Sequence, residues 1–366
     1  MKKLLVLILV LLLAASIFAA TGCGQKPQPA EAPKTEPAKQ EYGPPATVTT
    51  WRFQPIFQPT DAGWNNGVVP WARAVEEATK GTVKIELLPG GSITSAAEAF
   101  RATMAGMIDV YAGWATVYGG DMPEGMLAYG IAMGAENHRD AWAAMWGDPK
   151  YRIGELVQTA ANERNLHWVG WSSQGPNVAL TNFPVRRLED FAGRKMRAGA
   201  PQAIFHKALG GTPVVVPGAE IYMAIKLGTI EGTYWDAGGS ATMKFHEVTD
   251  YMILPGWCPA QHQEIYVNLD RWKALNQWQR DRISEIFMPV YFETSRLHLA
   301  NLAKSKEIFV NEGKGQILNL PSSEVERLRK IVREQVWPQV AAQSPRNAKG
   351  VELWTQFLVD IGTLKN

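Results

Sequence analysis

Cysteine is almost absent from this sequence, with two residues in 366, Cys23 and Cys258. A surplus of one charge is missing too. Lys and Arg number 37 against 35 Asp and Glu, a net charge of +2 without a long basic cluster, which argues against nucleic acid as a partner. There is no Gly-rich phosphate loop with its lysine, no Gly-x-Ser-x-Gly elbow and no paired-cysteine metal site. The six histidines show no metal-ligand spacing. Phe245-His246-Glu247-Val248-Thr249-Asp250 approaches a zinc-protease helix, but Asp250 stands where the second histidine is required. These absences count against an enzyme without excluding one.

Tryptophan, by contrast, is abundant: fourteen residues, enough to line cores and a concave pocket. The N-terminus is the most specific stretch. Lys2 and Lys3 precede an apolar run from Leu4 to Ala20, and Thr21-Gly22-Cys23 follows. This order describes a secretory signal peptide. Its small-small-Cys ending resembles a bacterial lipobox, in which Cys23 becomes the lipidated first residue. A transmembrane anchor is the alternative, at the short limit for a span. With Cys23 assigned, Cys258 has no disulfide partner, so stability rests on the core. Cys258 reads as a packed thiol, or as a nucleophile lacking any family signature. Residues 24–46, rich in Pro, Ala, Lys, Glu and Gln, read as an extended tether.

The folded part opens with the alternating strand Val48–Phe53. A helix over 67–79 follows, then strand Val83–Leu88, a helix over 95–105 and strand Ile108–Ala112. Alternation of strand and helix implies a parallel α/β sheet, whose ligands bind beyond the carboxyl ends of the strands. That rule nominates Phe53, Gln54, Trp114 and Tyr118. Trp142 and Trp146, four apart on one helix face, read as core. Strand His167–Trp171 exits through the polar Ser172-Ser173-Gln174-Gly175.

The plan then restarts. Gly81-Thr82, strand, Pro89-Gly90 is echoed by Gly211-Thr212, strand, Pro217-Gly218. Ala102–Asp109 is echoed by Ala224–Glu231, each a helix ending on glycine before a strand. Either the chain has two related lobes, which would make Trp114 and Trp235-Asp236 equivalent, or this is the shared grammar of any βαβ unit.

Arg197 closes the short strand Gly193–Arg197. Its planar fork of donors suits a carboxylate, while Glu189 and Asp190 stand close enough in sequence to pair with it instead. Asp236 suits a ligand hydroxyl, or the cap of a helix beginning near Ser240.

Taken together, the lipobox, Gly193–Arg197, Ala224–Glu231 and Ile253-Leu254-Pro255-Gly256-Trp257 after Phe245-His246-Glu247-Val248 carry a resemblance. From Val48 to the C-terminus the chain resembles the extracytoplasmic solute receptors of TRAP (tripartite ATP-independent periplasmic) transporters, the DctP type. The resemblance implies an α/β, two-lobed periplasmic-binding-protein-like fold with a hinge and a long helix crossing the lobes. Lobe I would comprise 47–173 and 263–302, and lobe II 174–262 and 303–366, after a signal peptide over 1–23 and the tether. Asp270–Asn311 would be the long helix, kinked at Pro289, with closing helices over Ser322–Trp337 and Gly350–Leu364.

The same resemblance implies that Arg197 pairs with the carboxylate of a small organic acid. Trp235, Trp114, Trp51 and Tyr118 would wall the ligand, and Gln174, Asn177 and Asp236 would orient it. The receptor would sit outside the cytoplasmic membrane on its lipid anchor and serve membrane permease subunits. The nearest subgroup binds 2-oxo or 2-hydroxy monocarboxylates, sometimes through a calcium or sodium ion. Its acidic ion ligand is expected just after the Gly-Trp pair, where this chain reads Cys258-Pro259-Ala260-Gln261. The glutamine expected before the arginine falls on Pro176 or Asn177, with Gln174 nearby. No metal site and no cofactor are therefore expected. The rival reading is a secreted hydrolase or lyase acting on a related acid, with Asp236, His246 or Cys258 as its base or nucleophile.

Overall fold

A computed structural model describes residues 42–118 and 120–364. Cys23 and the expected signal peptide lie outside the described residues.

Nine strands form one sheet: β1 Thr49–Phe53, β2 Val83–Leu87, β3 Val110–Gly113, β4 Leu166–Thr181, β5 Lys195–Arg197, β6 Thr212–Val214, β7 Gly232–Asp236, β8 Tyr251–Asn268 and β9 Gln316–Asn319. Their order is β2-β1-β3-β8-β4-β7-β5-β6, with β9 on β8. From either edge the pattern is the same. Three parallel strands, β2-β1-β3 or β6-β5-β7, are followed by a long antiparallel one, β8 or β4. These are the two lobes, and β8 and β4 run antiparallel through both.

The echo read in the sequence is therefore structural. Gly81-Thr82 leads into β2 and Gly211-Thr212 into β6, while Gly106 and Gly228 precede β3 and β7. Both glycines hold the left-handed conformation, at φ +75° and +71°, which ends their helices at no steric cost.

Three apolar cores hold the sheet. One side of the first lobe buries Trp51, Phe53, Trp71 and Val267, and the second lobe buries Val178, Leu180, Ile225 and Phe245. The largest cluster, including Trp168, Trp171, Tyr234 and Trp257, spans the opposite face. The helix Phe287–Asn311 ties the lobes together. Val290 enters the first lobe's core and Phe309 the second's, about 28 Å further along at 1.5 Å per residue.

Three expectations fail. Pro289 does not kink the long helix. It sits in the first turn of a new one, after helices Leu269–Lys273 and Gln277–Glu285, where its missing N–H costs nothing. No helix begins near Ser240; turns lead to the short 3-10 segment Phe245–Glu247. The strand expected to end at Trp171 continues to Thr181. Its polar residues stay buried because β8 supplies matching amides.

Candidate ligand-binding site

Arg197 is the last residue of β5, which pairs with β7 so that Arg197 lies opposite Thr233. Neighbouring Met196 points into the main core, which leaves the guanidinium on the other face. There it lies over the Trp235 ring, 5.5 Å from the centroid, and its Nε donates to the Val216 carbonyl at 3.2 Å. The two terminal nitrogens have no hydrogen-bond or ion-pair partner among the described residues. The acids that sequence proximity offered are engaged elsewhere: Glu189 with Arg327, and Asp190 with Arg187 at 3.3 Å. Arg194 pairs with Glu231 at 2.6 Å. Burial pushes the Arg197 guanidinium below its ordinary value, while Tyr129 acts in the opposite direction. It stays charged, because guanidinium titrates so high.

Trp235 meets Phe245 edge to face, with centroids 5.5 Å apart. Asp236 accepts from the Gly238 N–H at 3.1 Å and the Gly239 N–H at 2.8 Å. The capping expectation holds in form, but at a turn instead of a helix. Burial raises its carboxyl to about 7, against the pull of those two N–H groups. Gly175 of β4 makes room beside it, since a Cβ there would stand 3.3 Å from Oδ1.

Tyr129 is the residue that sequence reasoning missed. Its ring stacks on Trp257 at 5.9 Å, and its hydroxyl has no partner among the described residues. Burial pushes its ionisation well up, and Arg197, Asp236, Glu264 and Cys258 all lie close enough to influence it. Glu264 is equally hidden from sequence. It is fully buried, accepts from the Ala115 N–H at 2.7 Å, and has no partner for its other oxygen among the described residues.

The other expected residues divide. Trp114 is half-buried, edge-on to Phe57 at 5.4 Å, and its indole N–H lacks an acceptor among the described residues. Trp51 is fully buried in the first lobe's core, so it packs the sheet and does not wall a ligand. Tyr118 is likewise committed: its ring stacks on Phe100 at 5.0 Å and its hydroxyl donates to the Ala96 carbonyl. Phe53 is core, and Gln54 binds the backbone of Thr94. Gln174 and Asn177 are buried and bonded to Gln263 and Gln261, at 2.7 and 2.6 Å, instead of lying open.

No group of three or more His, Cys, Asp or Glu among the described residues could hold a metal. Where an acidic ion ligand would follow Trp257, Cys258 points its thiol at the Gly130 carbonyl, and burial pushes that thiol well up. The Gln261 oxygen is already taken by Asn177. Neither Cys258 nor Gln261 therefore offers a free donor to an ion.

The family described as bacterial extracellular solute-binding protein, family 7 (DctP), matches residues 57–343. A solute-binding protein of Albidiferax ferrireducens is 24% identical over 296 residues, 79% of this chain and 84% of that one. Two solved structures share the fold. A TRAP transporter solute-binding protein from Bordetella bronchiseptica, with copurified calcium and picolinate, superposes with a TM-score of 0.77 at 19% identity, covering 87% of this chain and 94% of that one. One from Pseudoalteromonas atlantica, with bound sodium and pyruvate, gives 0.76 at 17% identity, covering 87% and 96%.

Proposed function

Because the chain belongs to the DctP family of bacterial extracellular solute-binding proteins, we propose that it captures a small organic acid outside the cytoplasmic membrane and delivers it to the permease subunits of a TRAP transporter. One observation carries the choice of ligand: the Arg197 guanidinium, held at Nε and stacked on Trp235, with no acid beside its terminal nitrogens among the described residues. A carboxylate supplies two oxygens at the spacing of that fork. The acids bound by the two structural neighbours, picolinate and pyruvate, support this class.

Arg197 makes the carboxylate contact, Trp235 and Trp114 flank the ligand, and Tyr129 presents its hydroxyl. Asp236 meets whatever the acid carries beyond its carboxylate. Lobe bounds at 173/174 and 262/263 are supported by the register shifts of β4 against β8, three of the four of which fall between Ser173 and Ala179. Binding energy goes into lobe closure with no covalent step. The hydrolase reading loses Cys258 as its nucleophile, since burial holds that packed thiol protonated. Cys23, as a lipidated residue, would keep the receptor at the membrane surface.

Calorimetric titration of the purified protein with mono- and dicarboxylates, with and without calcium, tests the reading. A receptor binds at least one of them tightly without turnover, and loses that binding in Arg197→Ala. A protein that binds none, or binds equally well without the arginine, overturns it.

A further inference from the structure

Where β4 and β8 cross between the lobes, five buried side chains form one hydrogen-bonded chain. The Trp257 indole N–H donates to Asn177 Oδ1 at 2.7 Å, and Asn177 Nδ2 donates to Gln261 Oε1 at 2.6 Å. Gln261 Nε2 then reaches Gln174 Oε1 at 3.4 Å, and Gln174 Nε2 donates to Gln263 Oε1 at 2.7 Å. Every member is at most 4% exposed.

The chain has a direction, fixed by chemistry. Indole nitrogen can only donate, so Asn177 must turn its oxygen toward Trp257. Each amide downstream is then oriented in turn. The surplus donor emerges at the far end, where Gln263 Nε2 is buried without an acceptor among the described residues. Ser172 Oγ is also unpartnered there, and Gly67 separates the two: a Cβ on Gly67 would stand 2.7 Å from Ser172 Oγ and 2.9 Å from Gln263 Nε2. Trp257 stacks on Tyr129 and meets Phe205 at a tilt, while Gln263 lies on the first lobe's portion of β8, roughly 20 Å further along that strand.

We propose that this chain positions the hinge. Trp257, through Asn177, Gln261 and Gln174, sets the state of Gln263 and so links the buried cluster of Trp257, Tyr129 and Phe205 to the first lobe. Breaking any bond strands a buried amide, so the chain favours the one lobe angle at which every bond fits. Its tie to ligand capture rests on the receptor reading given above; its coupling does not.

Side-chain amide hydrogen exchange of the Asn- and Gln-labelled protein tests the coupling without any ligand. Asn177, Gln261 and Gln174 should exchange slowly and Gln263 fastest of the four. In Trp257→Phe, which keeps a ring against Tyr129, exchange should quicken at least tenfold at Gln174, to which Trp257 is joined only through Asn177 and Gln261. Acceleration confined to Asn177 overturns the proposal. So does exchange at surface-amide rates in the unmutated protein, a measurement that stands if the variant fails to fold. With any acid found to bind, Trp257→Phe and Gln263→Leu should be non-additive in Kd by at least threefold. Additive effects sink the link to capture. If no acid binds, the receptor reading fails and the exchange pattern still decides the chain.

Discussion

The Arg197 guanidinium and the Trp235 ring, 5.5 Å apart, come from adjacent parallel strands and hold each other at the edge of the second lobe. The ring's negative face steadies the cation without neutralising it, which leaves the charge available to an incoming anion.

Removing that charge should abolish most binding. Arg197→Ala is expected to cost about 2–4 kcal/mol of affinity, the range for one side of a buried charged hydrogen bond. Arg197→Lys should recover only part of it, because an ammonium lacks the fork. Calorimetry on the two variants with the best-bound acid checks the order.

Affinity should depend on pH through Asp236. Its carboxyl is raised to about 7 from an ordinary value near 3.8. The neutral form is therefore favoured in the fold: its stabilising contribution is complete below about pH 4 and is lost as pH rises through 7. An anionic ligand meets an added negative charge above that point. Affinity for a simple monocarboxylate should fall several-fold between pH 6 and pH 8. Asp236→Asn should flatten this profile, whatever its absolute affinity.

Acid should weaken the fold through three poorly solvated histidines, His298 on the long helix and His138 and His262 packed against its Tyr291. Burial lowers His138 to about 4 and His298 to about 3, and drives His262 well below its ordinary value, with His138 adding to the effect on the other two. The unfolded chain binds protons near pH 6.5, so between 6.5 and 4 it holds more than the native state, and stability drops as pH falls. His138 alone contributes up to ~3 kcal/mol across that window. Neither nitrogen of His298 has a partner among the described residues. His298→Leu should therefore raise the urea midpoint at pH 5 and flatten its pH dependence.

Gly130 should not tolerate a side chain. It follows Tyr129 at φ +98°, and a Cβ would stand 2.8 Å from the Ala260 carbonyl oxygen. Gly130→Ala is expected to destabilise by about 2–3 kcal/mol, from strain and close contact. Denaturant unfolding measures that loss. Ligand titration should show weaker binding as well, because Tyr129 moves with the loop.

The parts of this fold that local chemistry dictates were legible. Glycine caps at Gly106 and Gly228 and the strand alternation around them revealed the repeat, since both depend on a few neighbouring residues. Arg197 was legible as a guanidinium at a strand end, but only coordinates could show that Glu189 and Asp190 were taken. Trp51 misled because alternation puts it with Phe53 on the apolar face of β1, and only the tertiary packing shows that this face is filled by the first lobe's core. Ser172–Asn177 looked like a loop because its partners, Gln261 and Gln263, lie more than eighty positions away. Tyr129 gave no signal, since it lies in a Gly- and Met-rich stretch that reads as a loop and follows no strand end.

The mirrored strand order also governs when the molecule can assemble. β3 pairs only with β1 and with the far end of β8, so the first lobe stays open until synthesis has passed Asn268. The second lobe in turn needs β9 and Phe309. Neither half can mature from a contiguous stretch, and loop closure over such distances slows folding. Most of the chain must therefore emerge before the first lobe is complete, and more before the second, which gives a machinery that handles unfolded polypeptide a long interval in which to act.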